Sequence, residues 1–146
     1  MLLVDLAAAR RAGWHLPTAL FDVWPAARPA WRVVWETPAG LGFSLRYGDR
    51  LDGRLALACE GPTAVEKVHA ALDELLPTTR AALDARIDSL PESLQAGELT
   101  AAAAAQYEAL LTDGLAAAKA ARVRAVDELV LVDVPGGDDP AVLATA

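Results

Sequence analysis

Residues 31–60, WRVVWETPAGLGFSLRYGDRLDGRLALACE, carry the pattern from which the fold class follows. Apolar and polar side chains alternate with a period of two in three runs. In 31–36, Trp31, Val33 and Trp35 alternate with Arg32, Val34 and Glu36. In 41–47, Leu41, Phe43, Leu45 and Tyr47 alternate with Gly42, Ser44 and Arg46. In 54–60, Leu55, Leu57 and Cys59 alternate with Arg54, Ala56, Ala58 and Glu60. A side-chain period of two is that of a half-buried strand, so the stretch predicts a three-stranded antiparallel meander. Thr37-Pro38-Ala39-Gly40 supplies turn chemistry for the first connection, and Gly48-Asp49 with Asp52-Gly53 marks a longer second loop.

Upstream, residues 2–12 suit a helix stopped at Gly13, since glycine accepts the left-handed conformation that ends helices. The segment 14–29 is broken by Pro17, Pro25 and Pro29 and is expected to be irregular. Downstream of Gly61-Pro62 the period becomes helical. Val65, Val68, Leu72 and Leu75 share one face, with Thr63 and Glu66 at capping-box spacing. Pro77 predicts a stop or sharp bend, because an interior proline removes a hydrogen bond. A second helix follows from about Thr79, with Leu83, Ile87 and Leu90 inward, and a short turn from Ser89 to Gly97. Thr100 caps an alanine-rich helix over 100–127, which the pair Asp113-Gly114 marks as breakable. Residues 129–134, LVLVDV, are β-branched and apolar on both faces, the pattern of a buried strand.

The expected fold is therefore α+β, a two-layer sandwich. A three-stranded antiparallel meander and a C-terminal strand pack against several helices, in the order α-βββ-α-α-α-β. Residues 1–135 are expected to form a single domain and 136–146 a frayed tail. At 146 residues the chain is long enough to bury one core. Its 54% hydrophobic content excludes intrinsic disorder. Arg10 and Arg11 follow the apolar start, the wrong order for a signal peptide, and no run reaches the ~20 apolar residues of a membrane span. A single cysteine excludes an internal disulfide framework. The expected location is the cytoplasm.

Charge divides the chain of net −7 into unequal halves. Residues 1–60 hold seven basic and six acidic side chains, and the acidic excess lies wholly in the helical half. That acidity disfavours nonspecific nucleic-acid binding by the second half. His15 and His69 are far apart and Cys59 is alone, so no pair has metal-ligand spacing and no metal or cofactor is expected. Ser44 sits in Gly42-Phe43-Ser44-Leu45-Arg46, where Arg46 replaces the second glycine of a nucleophile elbow. Adjacent carboxylates such as Asp73-Glu74 point about 100° apart on a helix and do not form an acid–base pair.

Two surfaces remain as candidates. Trp14 and Trp24 lie in the proline-broken segment with no apolar face to join, and exposed tryptophan is a common binding anchor. Arg32, Arg46 and Arg54 fall on the polar side of the alternating runs, flanked by Arg28 and Arg50, and together could meet phosphate or an acidic partner. Glu36 and Glu60 share that side. The expectation is a non-enzymatic protein-interaction domain of an adaptor, immunity-protein or chaperone kind, whose partner is another protein or a second copy in a homodimer. The alternatives are nucleic-acid binding through the arginines, and a small-molecule enzyme or binding protein with a pocket between sheet and helices.

Overall fold

The computed structural model describes residues 2–15, 25–47, 51–97 and 100–135. Strand β1 (Leu2–Asp5) leads directly into helix α1 (Leu6–Arg11). A 3-10 turn (Pro25–Ala27) precedes helix α2 (Arg28–Glu36), followed by the antiparallel strands β2 (Gly40–Tyr47) and β3 (Leu51–Ala58). Helices α3 (Pro62–Gln95) and α4 (Ala101–Ala120) come next, and strands β4 (Arg122–Val126) and β5 (Leu129–Val134) close the described chain. The strands form one antiparallel sheet in the order β1-β2-β3-β5-β4. The class is α+β, with helices packed on one side of an antiparallel sheet, as the sequence predicts.

Register fixes which side of each strand enters the core. Leu41 pairs with Leu57, Leu57 with Val130, Leu55 with Val132, and Val132 with Val123. Paired residues share a face, and these meet Ala30 and Val34 of α2 and Val65, Val68, Ala71, Leu72 and Leu75 of α3 in one cluster. Leu57, Val68 and Val130 lie at its centre, fully buried. Each such side chain contributes about 1.5–3 kcal/mol through burial.

Several elements differ from the sequence reading. Residues 31–36 are helical, because Ala27, Ala30, Trp31 and Val34 also recur at helical spacing, and that face reaches the core. Pro29 is accommodated in the first turn. One edge of β2 pairs with β3 and the other with β1, leaving no edge for a strand at 31–36. The expected helix over 2–12 is shortened to α1. Asp5 caps it by accepting from the Ala8 N–H at 2.7 Å, and Gly13 follows it at φ 84°. Arg10 locks α1 onto the end of α2 by donating to the Trp35 and Pro38 carbonyls at 2.6 and 2.9 Å. β3 begins at Leu51, so Asp52 and Gly53, read as loop, are paired with Arg46 and Leu45.

Helix α3 runs through both Pro77 and Pro91 as one 34-residue element. A proline deletes a single backbone donor, and the helix is held by the sheet core before Pro77 and by packing against α4 between Pro77 and Pro91. Gly61 at φ 85° and Pro62 start this helix with no side-chain cap, so the Thr63 capping box does not form. Beyond the sheet, α3 and α4 make an antiparallel pair around Leu90, Ala104, Leu111 and Leu115. Arg80 Nε donates to the Ala118 carbonyl at 2.9 Å, and the Arg86 guanidinium lies 5.6 Å from the Tyr107 ring centre. Asp113 and Gly114 do not interrupt α4, where Gly114 faces Leu83. The helix ends at Ala120, not near Asp127. Residues 122–126 pair with β5 through a two-residue turn in which Asp127 adopts φ 51°. No described helix is long and apolar enough to cross a membrane. Residues 136–146 lie outside the described chain.

Candidate interaction surface

The described helices pack on one side of the sheet, so among the described residues the side chains of opposite parity form a face that no helix covers, with Leu131 the buried member of that face. The register arranges this face in rows across the strands. The first row is Asp5, Gly40, Ala58, Leu129 and Val126, and the second is Leu3, Gly42, Ala56, Leu131 and Arg124. The third row is Ser44, Arg54, Asp133 and Arg122, and Arg46 with Asp52 forms the fourth. The first two rows are apolar between Asp5 and Arg124, the last two are charged, and Arg124 reaches from the second row to Asp133 of the third.

Within the first two rows β2 and β3 present only glycine and alanine, while β1 presents Leu3 beside Asp5 and β5 presents Leu129 beside the buried Leu131. The result is a trough. Its floor is Gly40, Gly42, Ala56 and Ala58, with Leu3 on one wall and Leu129 on the other, enclosing about 670 Å³. Leu3 is 69% exposed and Leu129 38%. A Cβ at Gly42 would approach Leu3 Cδ2 to 3.2 Å, so glycine there keeps the floor low beside the wall. The solvent face of an antiparallel sheet ordinarily carries large polar side chains. Here they are absent over four adjoining positions.

At the charged end, Asp133 accepts from Arg124 Nε at 2.8 Å and from Arg54 Nε. The hydrogen bond from Arg124, then that from Arg54, holds its carboxyl below the usual carboxylate range. Arg122 donates through Nη1 to the Lys119, Ala120 and Ala121 carbonyls, satisfying the C-terminal end of α4. Ser44, Arg46, Asp52, Arg54, Arg122 and Asp133 surround a second hollow of about 430 Å³. Four guanidinium groups, those of Arg46, Arg54, Arg122 and Arg124, stand against the carboxylates of Asp52 and Asp133. The end is therefore net basic on a chain of net charge −7.

Of the arginines singled out from sequence, the structure brings Arg46 and Arg54 together on this face. Arg32 is not on the sheet: it lies on α2, where it pairs with Glu36 at 3.5 Å. Arg28 begins the same helix. The expected grouping of Arg32 with Arg46 and Arg54 fails because it depended on a strand at 31–36. Glu36 and Glu60 also leave the sheet face, the first to α2 and the second to the turn after β3. Trp14 follows α1 and is 65% exposed, apart from the trough. Trp24 and Arg50 lie outside the described residues.

The residues that sequence reasoning missed are Arg122, Arg124, Leu3 and Leu129, together with the small floor residues. The signal for the floor was present. Gly42 with Ser44, and Ala56 with Ala58, made the outward parity of two strands small as well as polar. Cys59 is buried, where desolvation raises its thiol pKa and disfavours the reactive thiolate. His69 Nδ1 lies 3.0 Å from Asp73 on the same helix. Among the described residues no three His, Cys, Asp or Glu side chains group to hold a metal. No family model, curated protein or solved structure matches this chain.

Proposed function

We propose that the chain is a non-enzymatic protein-interaction module, working in the cytoplasm, whose binding surface is the uncovered face of its sheet. The observation that carries this reading is the trough of Gly40, Gly42, Ala56 and Ala58 between exposed leucines. Contiguous exposed apolar surface of this kind, rimmed by charge, marks a site for another protein. Backbone approach over glycine and alanine allows close packing without displacing large side chains. The trough is open along the sheet, which suits a polypeptide segment better than a small molecule held on all sides. Arg54 and Arg124 are already engaged by Asp133, which makes them weaker contributors to phosphate binding.

Site-specific photocrosslinking tests the proposal. A benzophenone amino acid is placed at position 56 on the trough floor or at exposed Lys67 on α3, and the full chain is irradiated in its own cells. The expected result is a discrete protein adduct from position 56 and none from position 67. No adduct from position 56, or the same adducts from both, would overturn the reading.

A further inference from the structure

Resting on that reading, we infer that the segment the trough receives is an amphipathic helix of a partner protein, with carboxylates clustered at one end of its apolar stripe. Three interstrand steps separate β1, which carries Leu3, from β5, which carries Leu129, a span of about 14 Å between the two strands. An α-helix with its side chains is about 10–12 Å wide, so a helix lies between these walls along the strand direction. A single extended strand would leave much of that width empty. The low floor brings the helix near the sheet backbone.

The row order then sets the chemistry of the helix. Successive rows are about 7 Å apart along the strands, slightly more than one helical turn of 5.4 Å. Apolar side chains spaced i, i+3, i+4 and i+7 cover the Gly40 and Gly42 rows. The next two turns lie over Arg46 and the rest of the net basic end, where carboxylates are favoured. The four arginines and two aspartates of that end leave it short of negative charge, and the partner supplies it.

A second copy of this chain fits less well. A two-fold axis along the strands would stack the basic end of one copy on that of the other. An axis across the strands would lay each charged end over the other copy's apolar trough. Both arrangements oppose electrostatic complementarity or bury charge without a partner.

The experiment is a displayed library of 18-residue peptides with apolar residues fixed at i, i+3, i+4 and i+7 and every other position randomised. It is sorted against the full chain. The expected pool carries two or more Asp or Glu clustered at one end of the apolar stripe. Its members bind about tenfold more weakly to the Arg46→Glu chain and to the Ala56→Leu chain, whose added side chain fills the trough. Circular dichroism of both variants verifies that they are folded. No enrichment, enrichment of Lys or Arg in place of the acids, or binding unchanged by Ala56→Leu would overturn the inference. Crosslinking at position 56 separates the two readings. A partner adduct there together with a failed acidic-helix selection removes this inference alone, and a self-adduct assigns the face to a second copy. Loss of both the adduct and the selection removes the interaction reading as well.

Discussion

Replacing Leu57 with alanine tests the assignment of the two sheet faces, because its neighbour Ala56 points the opposite way. Leu57 has no exposed surface, pairs across the sheet with Leu41 and Val130, and lies in the same core cluster as Val68 and Leu72. The substitution removes three heavy atoms from this packing. The lost transfer energy plus the residual cavity give a cost of about 3 kcal/mol, within the range seen for buried leucines. For a chain of this length that corresponds to a fall in Tm of about 9 °C. The control is Ala56→Gln, which adds a polar side chain to the trough floor and is expected to change stability by less than about 0.5 kcal/mol. Urea titrations followed by circular dichroism, with m compared among the three proteins, measure both effects. A cost below about 1 kcal/mol for Leu57→Ala would refute the core assignment. A cost for Ala56→Gln equal to that of Leu57→Ala would show that the outer face is packed, and the functional reading would fall with it.

Two further outcomes follow from the same geometry. The carboxyl of Asp133 is held below its usual pKa by Arg124 and Arg54, so its stabilisation is complete above the unfolded value of about 4 and is lost as pH falls through the folded value. Urea midpoints measured from pH 7 down to pH 2 are expected to fall less steeply below pH 4 for Asp133→Asn than for the parent, and identical acid limbs would contradict this role. Gly114 lies inside α4 without a positive φ, and an added Cβ would meet Leu83 Cδ1 at 3.9 Å, an ordinary contact. Gly114→Ala is therefore expected to stabilise the chain by about 1 kcal/mol, raising Tm by about 3 °C. A lower Tm would mean that α3 and α4 approach too closely there for a methyl group.

Strands β2 and β5 were legible because each carries its own local signal. Leu41, Phe43, Leu45 and Tyr47 alternate over β2, and the β-branched run 129–134 coincides with β5. The inward face of α3 at Val65, Val68, Leu72 and Leu75, and the Thr100 cap of α4, were equally local. The segment 31–36 was ambiguous because Trp31, Val33, Val34 and Trp35 satisfy both a period of two and a helical face. The choice fell to pairing, since β1 occupies the edge of β2 that such a strand would need. The same holds for 2–5 and 122–126, both read as helix. Their strand character comes from hydrogen bonds to β2 and β5, partners that local propensity does not register.

Sequence by itself determined the α+β class, the core-facing parity of Leu41 on β2 and of Leu55 and Leu57 on β3, and the placement of Arg46 and Arg54 on the opposite parity. Those properties follow from periodicity along a single segment. Tertiary structure alone decided that β1 and β5 flank the central hairpin, and so that Leu3 and Leu129 wall a floor of glycine and alanine. It likewise moved Arg32 to a helix and brought Arg122 and Arg124 to the sheet. A surface is composed across strands, by register between residues as much as 79 positions apart such as Arg54 and Asp133. No reading along one strand contains that information.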